Sequence, residues 1–564
     1  MAERSSTARA LRRYGPIAVV VVLVVGVIAL VGGGGDDDDG GSEGTASGSD
    51  LPVTFQEAEA SGDDIDFGDS CDADRGRVEI PLRNAAPCIE PWDEGADNGG
   101  ATSPGVTADS IKVVVYQAEP DPLQQALIED AGANTDPRVN AETVVDYLKM
   151  FEDVYETYGR SLDIEIVAAT GGPSDATAAQ ADARTVIDKK PFAAVGGPTQ
   201  TPVYWQELTN AGIVCVGTCS LAEGWDVVED NAPYLWPTGP APEQADTHLA
   251  EMLGKQLVGG KAEFAGDPAL QDEDRVFGWV QAETETGEYA ARNEEFDRVF
   301  EEEYDGEITA RSTYLFDPGA AQETATTVIA RMRDAGVTTV IMSVDPLVPK
   351  NITEEATKQG YFPEWVVGPS VLADTTIFGR TFDQRQWAHA LGLSIPAARA
   401  DDSLSDSYFV YNWYFGEPPP VNTHAVLMPG AERLMLGVHL AGADLTPETF
   451  RDGLFRFPSN EAGQTYTRVS WGDDLWGRPD YNSTDDIGAM WWDAEATGED
   501  EVGNEGTGMI RYVDGGTRWL PGDWPDDPLP FFQDEESVTV YDELPEADAL
   551  PDYPPWPGSP AEDR

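Results

Sequence analysis

From residue 111 onward, short apolar runs alternate with amphipathic helical patterns, and the alternation starts afresh after residue 234. Strand-type runs are read at 111–116, 163–169, 192–195 and 213–216, with helical patterns at 140–158, 175–189 and 201–211 between them. Val144, Leu148 and Phe151 share one face of the first helix. Ser174 is the expected cap of the second. The second series holds a strand at 234–236, a PTGPAP loop, a helix at 243–257, a strand at 275–280 and a helix at 287–302. It continues with a strand at 308–315, a helix at 319–335, a strand at 338–343, a helix at 350–359 and a strand at 365–367. Strands that are apolar throughout and separated by helices predict parallel sheets covered on both faces. The fold expected is therefore α/β, with two doubly wound parallel-sheet lobes joined by a hinge. A late helix pair is read at 430–442 and 446–454, and β-like pieces at 488–492 and 509–513. Residues 523–564 are acidic, Pro-rich and mostly loop.

A chain of 564 residues is long enough for two or three domains. Its formal charge of -68 favours solubility and disfavours nucleic acid and anionic membranes as partners. The acids run throughout the chain, which reads as a salt-adapted, counterion-screened surface rather than a specific cation site. No metal or cofactor is expected.

Four cysteines, Cys71, Cys88, Cys215 and Cys219, allow three pairings into two disulfides. Nearest-neighbour pairing, Cys71–Cys88 and Cys215–Cys219, is the one expected. Closing a loop of the first size is worth roughly 3 kcal/mol by chain entropy. Arg4, Arg9, Arg12 and Arg13 precede an apolar run at 17–31 and would hold the N-terminus inside, so that the rest is exported. Residues 1–14 then form a basic cytoplasmic tail, and 15–35 either a cleaved secretory signal or a retained anchor. With no evident cleavage site after Val31, a retained anchor is the expectation. Residues 36–104 divide into an acidic Gly/Asp/Ser linker and a disulfide-clipped strap.

Several junctions resemble those of the leucine/isoleucine/valine-type extracellular solute-binding proteins. They are GVTADSIKV from Gly105, AAVGGPTQTPV after the third strand, YLWPTGPAPEQA at the hinge and LTPETFRDGLFRF late in the chain. The block IGAMWWDAEATG with GTGMIRYVDGG looks like that of actinobacterial members. The resemblance covers about 105–458 and implies a type 1 periplasmic binding fold whose chain crosses between lobes about three times. It puts the first lobe at 105–238, joined by part of about 370–445. The second lies at 239–369, joined by part of about 446–515, with an acidic tail at 516–564. It also implies a monomeric binder of a small polar solute, an amino acid or related amide or acid, that feeds an ABC-type permease and carries out no covalent chemistry.

In open parallel sheets, ligands sit beyond the carboxyl ends of the strands. By the resemblance, Thr199, Gln200, Thr201, Cys219 and Ser220 fall on stretches that hold a ligand carboxylate, while turn and cap roles suit Thr201 and Ser220 equally. Glu285, Thr286, Asp345 and Ser370 fall on the second lobe's share of the site. This chain departs from the family's amino-acid binders there. Ser370 stands where they carry an acid, Thr286 where they carry a tyrosine, and Asp345 where they carry an aromatic or small residue. Asp345, Glu283, Glu285 or Asp374 are the candidates to replace the ammonium clamp, with a plain surface role the alternative for each. Trp205, Trp225, Trp236 and Trp279 lie near strand ends, with core packing as their commoner role.

No G-x-S-x-G, H-E-x-x-H or Walker A pattern is present, and His248, His389, His424 and His439 are scattered, so no catalytic residue is assigned. His439 falls on an apolar helix face and is expected in the core. An exported hydrolase using paired acids is the weaker rival. A membrane-anchored sensing or interaction ectodomain is the other alternative, since one fold serves both roles.

Overall fold

The computed structural model describes residues 51–93, 95–120, 136–283, 288–315, 320–345, 348–370, 372–461, 463–472, 475–501 and 503–562. The predicted anchor at 15–35 and the linker after it lie outside these. Among the described residues no helix is long and apolar enough to cross a membrane.

The first lobe is built from β1 (Ser110–Gln117), α1 (Pro137–Val154), β2 (Ser161–Ala168), α2 (Ala176–Lys189), β3 (Ala193–Val195), α3 (Val203–Asn210) and β4 (Val214–Val216). Its sheet runs β2-β1-β3-β4, all parallel. The second lobe follows with α4 (Pro242–Gln256), β5 (Phe277–Glu283), α5 (Glu288–Tyr304), β6 (Ile308–Leu315), α6 (Ala321–Asp334), β7 (Thr339–Ser343), α7 (Val348–Lys358), β8 (Glu364–Val367) and β9 (Ala390–Ser394). Its parallel strands run β6-β5-β7-β8-β9, the same order repeated. The expected doubly wound α/β pair is therefore what forms.

Three late helices return to the first lobe: α8 (Asp406–Phe415), α9 (His424–Ala441) and α10 (Pro447–Leu454). Buried residues of α8, α9 and α10 share one core with β1, β3 and β4. The chain then rejoins the second sheet as the antiparallel strands β10 (Ile487–Glu499) and β11 (Glu505–Val513), and with the short strands Arg518–Trp519 on β10 and Ser537–Val538 on β11 that sheet is nine-stranded. Period-2 alternation sends neighbouring side chains of one strand to opposite faces. Val340 and Met342 of β7 enter one core and Ile341 the other; Trp365 and Val367 of β8 part from Val366 in the same way. Both faces are dry, which is why the strands read as unbroken apolar runs.

Two local expectations are corrected. Asp175, not Ser174, caps α2: its carboxylate accepts from the N–H groups of Thr177 and Ala178, both at 3.0 Å. The late helix begins at His424 and carries Pro429 inside it, rather than starting at Gly430. Both disulfides form as expected, each with a Cα–Cα distance of 5.8 Å. The first clips the N-terminal strap, whose Ile80 and Leu82 are buried in the first-lobe core. His439 is also in that core, with Nδ1 accepting from the Glu156 N–H at 2.9 Å and Nε2 bonded to the Pro87 carbonyl at 3.0 Å.

Within the described residues the chain passes between the lobes near 237–241, 395–405 and 458–486. The first and third passages are tied together. Arg433 on α9 donates to the carbonyls of Trp236 and Pro237 and, at 2.6 Å, to Ser483 Oγ. Ser483 Oγ donates to the Thr238 carbonyl at 2.9 Å, and Asn482 Nδ2 to the Gly239 carbonyl at 2.8 Å. Asn482 opens the glycosylation pattern Asn482-Ser483-Thr484, yet it is wholly buried and serves this junction.

Candidate functional site

In a sheet ordered 2-1-3-4, the connections from β1 and β3 leave toward opposite faces, so their carboxyl ends part and open a crevice. A cleft lies there in the first lobe, with a void of about 110 Å³. Val115 and Tyr116 of β1, Val195 to Thr199 after β3, and Gly217 and Thr218 after β4 form its floor and one wall. Asn140, Ala141 and Val144 of α1 form a second wall, and Thr423 with Val426, Leu427 and Gly430 of α9 a third. The Thr423 hydroxyl donates to Asn140 Oδ1 at 3.3 Å, tying these two walls.

The cleft is mainly apolar, with Asn140, Thr199, Thr218 and Thr423 as its neutral polar side chains and Glu119 exposed at the rim. No lysine or arginine lines it among the described residues. Beneath the floor, Tyr116 donates to Asp182 Oδ2 at 2.9 Å, and Asp182 also accepts from the Thr170 N–H at 3.0 Å and hydroxyl at 2.7 Å. Burial, then the Asp182 carboxylate, pushes the Tyr116 phenol well above its ordinary value. It stays neutral and works as a fixed donor that pins α2 under β1. Its ring meets Tyr204 of α3 at 4.9 Å.

The late helix reaches the floor because two glycines meet. Gly217 sits at φ +66, and a Cβ there would lie 3.0 Å from Gly430 Cα. A Cβ on Gly430 would lie 2.8 Å from Gly217 Cα, with Val195 Cγ1 at 3.3 Å. Backbone cannot yield as a flexible side chain can, so Gly430→Ala is expected to push α9 off the sheet and destabilise the protein by about 1–3 kcal/mol. Urea unfolding followed by tryptophan fluorescence checks this; an unchanged midpoint would mean the two backbones separate without cost.

Of the residues singled out from sequence, Thr199 lines the cleft. Gln200 is its neighbour, with its N–H donating to the Pro173 carbonyl at 3.0 Å. Thr201 is buried, its hydroxyl accepting from the Val203 N–H at 3.4 Å at the start of α3. Cys219 is buried in the disulfide to Cys215, which closes the loop carrying Gly217 and Thr218. Ser220 is buried, and its hydroxyl donates to Glu223 Oε1 at 3.0 Å. Glu285 and Thr286 lie outside the described residues.

In the second lobe Asp345 is buried. It accepts from the Tyr314 hydroxyl and, at 3.0 Å, from the Val348 N–H that opens α7. Ser370 donates to the carbonyls of Met342 at 2.7 Å and Gly368 at 2.9 Å. Asp374 is buried and accepts from the Ile395 N–H at 3.1 Å; burial pushes its carboxyl up to about 6. Glu283 is half-buried at the end of β5. The described geometry thus gathers Thr199 with Thr218, Asn140 and Thr423, while Asp345 and Ser370 hold second-lobe loops. Trp205, Trp236 and Trp279 are core residues, and Trp225 packs on Trp476 at 5.7 Å.

Asn140 and Thr423 were missed in sequence. Asn140 carried the faint signal of a polar residue opening an apolar helix face. Thr423 carried none, because its helix arrives from the other end of the chain.

Neither a protein-family model nor a curated protein matches the sequence. Solved structures do align with the chain. One is a solute-binding protein of an ABC transporter from Rhodopseudomonas palustris BisB5, in complex with 3,4-dihydroxybenzoic acid, at 12% identity and TM-score 0.46; 71% of this chain and 97% of that one are covered. Another is an amino acid ABC transporter substrate-binding protein from Pseudomonas fluorescens Pf-5, at 11% identity and TM-score 0.47, covering 74% and 99%. A third is a type 1 periplasmic binding protein from Bordetella pertussis Tohama I, at 12% identity and TM-score 0.45, covering 68% and 97%. The repeated strand order, the passages between lobes and the cleft at the first switch point give this chain, by its own topology, a two-lobed, doubly wound α/β fold.

Proposed function

We propose that this protein is an extracytoplasmic solute-binding protein. It captures a small polar solute, an amino acid or related amide or acid, between its lobes and delivers it to an ABC-type permease without covalent chemistry. The observation that carries the reading is the cleft at the β1/β3 switch point, walled by Asn140, Thr199, Thr218 and Thr423 on an apolar background. Apolar walls with a few directed polar groups are the usual make-up of a small-molecule site. Thr199 and Thr218 offer hydroxyls to the solute, and closure of the second lobe would remove water from it.

A thermal-shift screen of amino acids, amides, short peptides and aromatic acids tests this. A binder present at 100 times its Kd stabilises the folded state by about 2.7 kcal/mol, a clear rise in Tm. Thr199→Val and Thr218→Val should each reduce the rise seen with the same compound. A screen in which every class leaves Tm unchanged, or a hit indifferent to both substitutions, would overturn the assignment of this cleft.

A further inference from the structure

The acidic, Pro-rich segment after residue 523 reads as loop, and most of it is loop, yet it is docked along its length. It starts in the second lobe. Trp524 is buried there, its ring 4.6 Å from Trp519, and its Nε1 donates to His248 Nδ1 at 3.1 Å. Lys255 Nζ donates to the Trp524 carbonyl at 2.6 Å, and Gln256 bonds the Pro525 carbonyl at 2.6 Å and the Leu529 N–H at 2.8 Å. Ser537–Val538 then pairs with β11.

The segment next meets the middle passage between the lobes. Val540–Tyr541 pairs in parallel with Arg399–Ala400, and the Asp401 N–H donates to the Tyr541 carbonyl at 3.0 Å. Beyond that it belongs to the first lobe. Asp548 is buried, its carboxylate accepting from the Thr465 N–H at 2.7 Å and hydroxyl at 2.8 Å, and its carbonyl from Arg83 at 3.0 and 2.7 Å. Trp413 of α8 donates to the Pro554 carbonyl at 2.9 Å, Trp556 packs on the first-lobe core, and the Ala561 N–H donates to the Tyr414 carbonyl at 3.1 Å. Tyr553 is held by the N-terminal strap: Arg75 donates to its hydroxyl at 3.1 Å, and that hydroxyl donates to Asp72 at 2.5 Å.

We propose that residues 524–562 form a brace, a fourth connection that limits how far the two lobes open. The stretch between the Val538 attachment on the second-lobe sheet and the Asp548 attachment spans no more than roughly 36 Å even when fully extended. Pro545 stiffens it further by restricting φ. The three passages of the main chain can flex at loop torsions, whereas opening the lobes against the brace must break buried bonds at one of its ends. The proposal rests on the lobes hinging, as a solute-binding role requires, but not on the solute, because the readout is lobe separation itself.

The test cuts the brace in folded protein. A protease site is placed at Asp542 and Glu543, both exposed. Spin labels at Arg184→Cys on α2 and Glu323→Cys on α6, both exposed positions, report the distance between lobes. Cutting is expected to lengthen the mean distance and broaden its distribution by about twofold, as for a released hinge. Asp548→Ala with Trp556→Ala, uncut, should shift the distribution the same way by loosening only the first-lobe end. An unchanged distribution after complete cutting would overturn the brace. So would a broadening that the uncut double variant does not share, since the first-lobe contacts would then not be what restrains the lobes. If cutting shifts the distance but no solute ever binds, the brace stands and the solute-binding reading falls.

Discussion

Replacing Arg275 by Met is expected to destabilise the second lobe by about 3–5 kcal/mol, because it leaves a carboxylate buried without its counter-charge. Arg275 and Glu364 form an ion pair whose side chains are 3% and 0% exposed. Glu364 Oε2 accepts from Arg275 Nε at 2.9 Å and from the Thr339 hydroxyl at 2.7 Å. Its Oε1 accepts from Arg275 Nη2 at 3.0 Å and from the Phe264 N–H at 3.0 Å. The pair therefore clamps the entries of β5, β7 and β8 at the end of the sheet opposite the ligand side. Chemical denaturation of Arg275→Met and of the double variant Arg275→Met/Glu364→Leu distinguishes pairing from packing. The double variant should recover much of the loss, since an apolar pair of similar volume avoids the desolvation penalty. Equal losses in both would show that the guanidinium contributes through its stacking on Phe264, at 5.6 Å, and not through charge.

The second large effect is a fall in stability with rising pH, set at the hinge. Asp480 is 1% exposed and accepts from the Asn482 N–H and from Gln244 Nε2, each at 2.9 Å. Burial, with the nearby Asp485 carboxylate adding to it, pushes its carboxyl up to about 8 against these hydrogen bonds. In the unfolded chain an aspartate titrates near ~3.9. The folded state thus keeps a proton that the unfolded state releases between these values. The resulting stability is complete below the unfolded pKa and is lost as pH rises through the folded one. One such group lowers stability by at most about 1.4 kcal/mol per pH unit, so the expected loss from pH 6 to 8 is on the order of 2–3 kcal/mol. The slope is the measurement. Asp480→Asn sets an amide against Gln244 Nε2, a mismatch felt at every pH, but it should reduce the slope between pH 6 and 8, leaving the share of the Glu432 carboxyl, which burial also pushes up to about 8. If the variant keeps the parental slope in high salt, where surface repulsion is screened, Asp480 is not the group responsible.

The two series of strands and helices could be read from residue pattern to within a few residues. The runs at 111–116 and 338–343 became β1 (Ser110–Gln117) and β7 (Thr339–Ser343), because a strand buried on both faces has to be apolar at every position. Strand β9 was not read. Its sequence ALGLS is short and carries Gly392 at φ +148, and it becomes a strand only between β8 and β10. Helix α8, DSYFVYNWYF, has no polar face for a periodicity to reveal, since the first-lobe core covers one side and the C-terminal segment another. Pro429 reads as a helix stop, yet packing of Gly430 on Gly217 holds α9 together through it.

The site divides along the same line. Thr199 could be named because a polar turn after an apolar strand marks the ligand end of a parallel sheet. Asp345 has the right position by that logic, but Tyr314 and the first turn of α7 take up its carboxylate. Thr423 and Leu427 could not be named at all. What the linear order of residues determined by itself was local: which stretches are strands or helices, that they alternate, and hence that each lobe is a parallel sheet with a switch point. What only the tertiary structure decided was which distant segments close on that switch point and which bridge the lobes. Hydrophobic burial is non-directional and leaves no periodic mark of its partner, so the arrival of α9 at the cleft and of the C-terminal segment on both lobes is set by shape, buried pairs and close backbone contact.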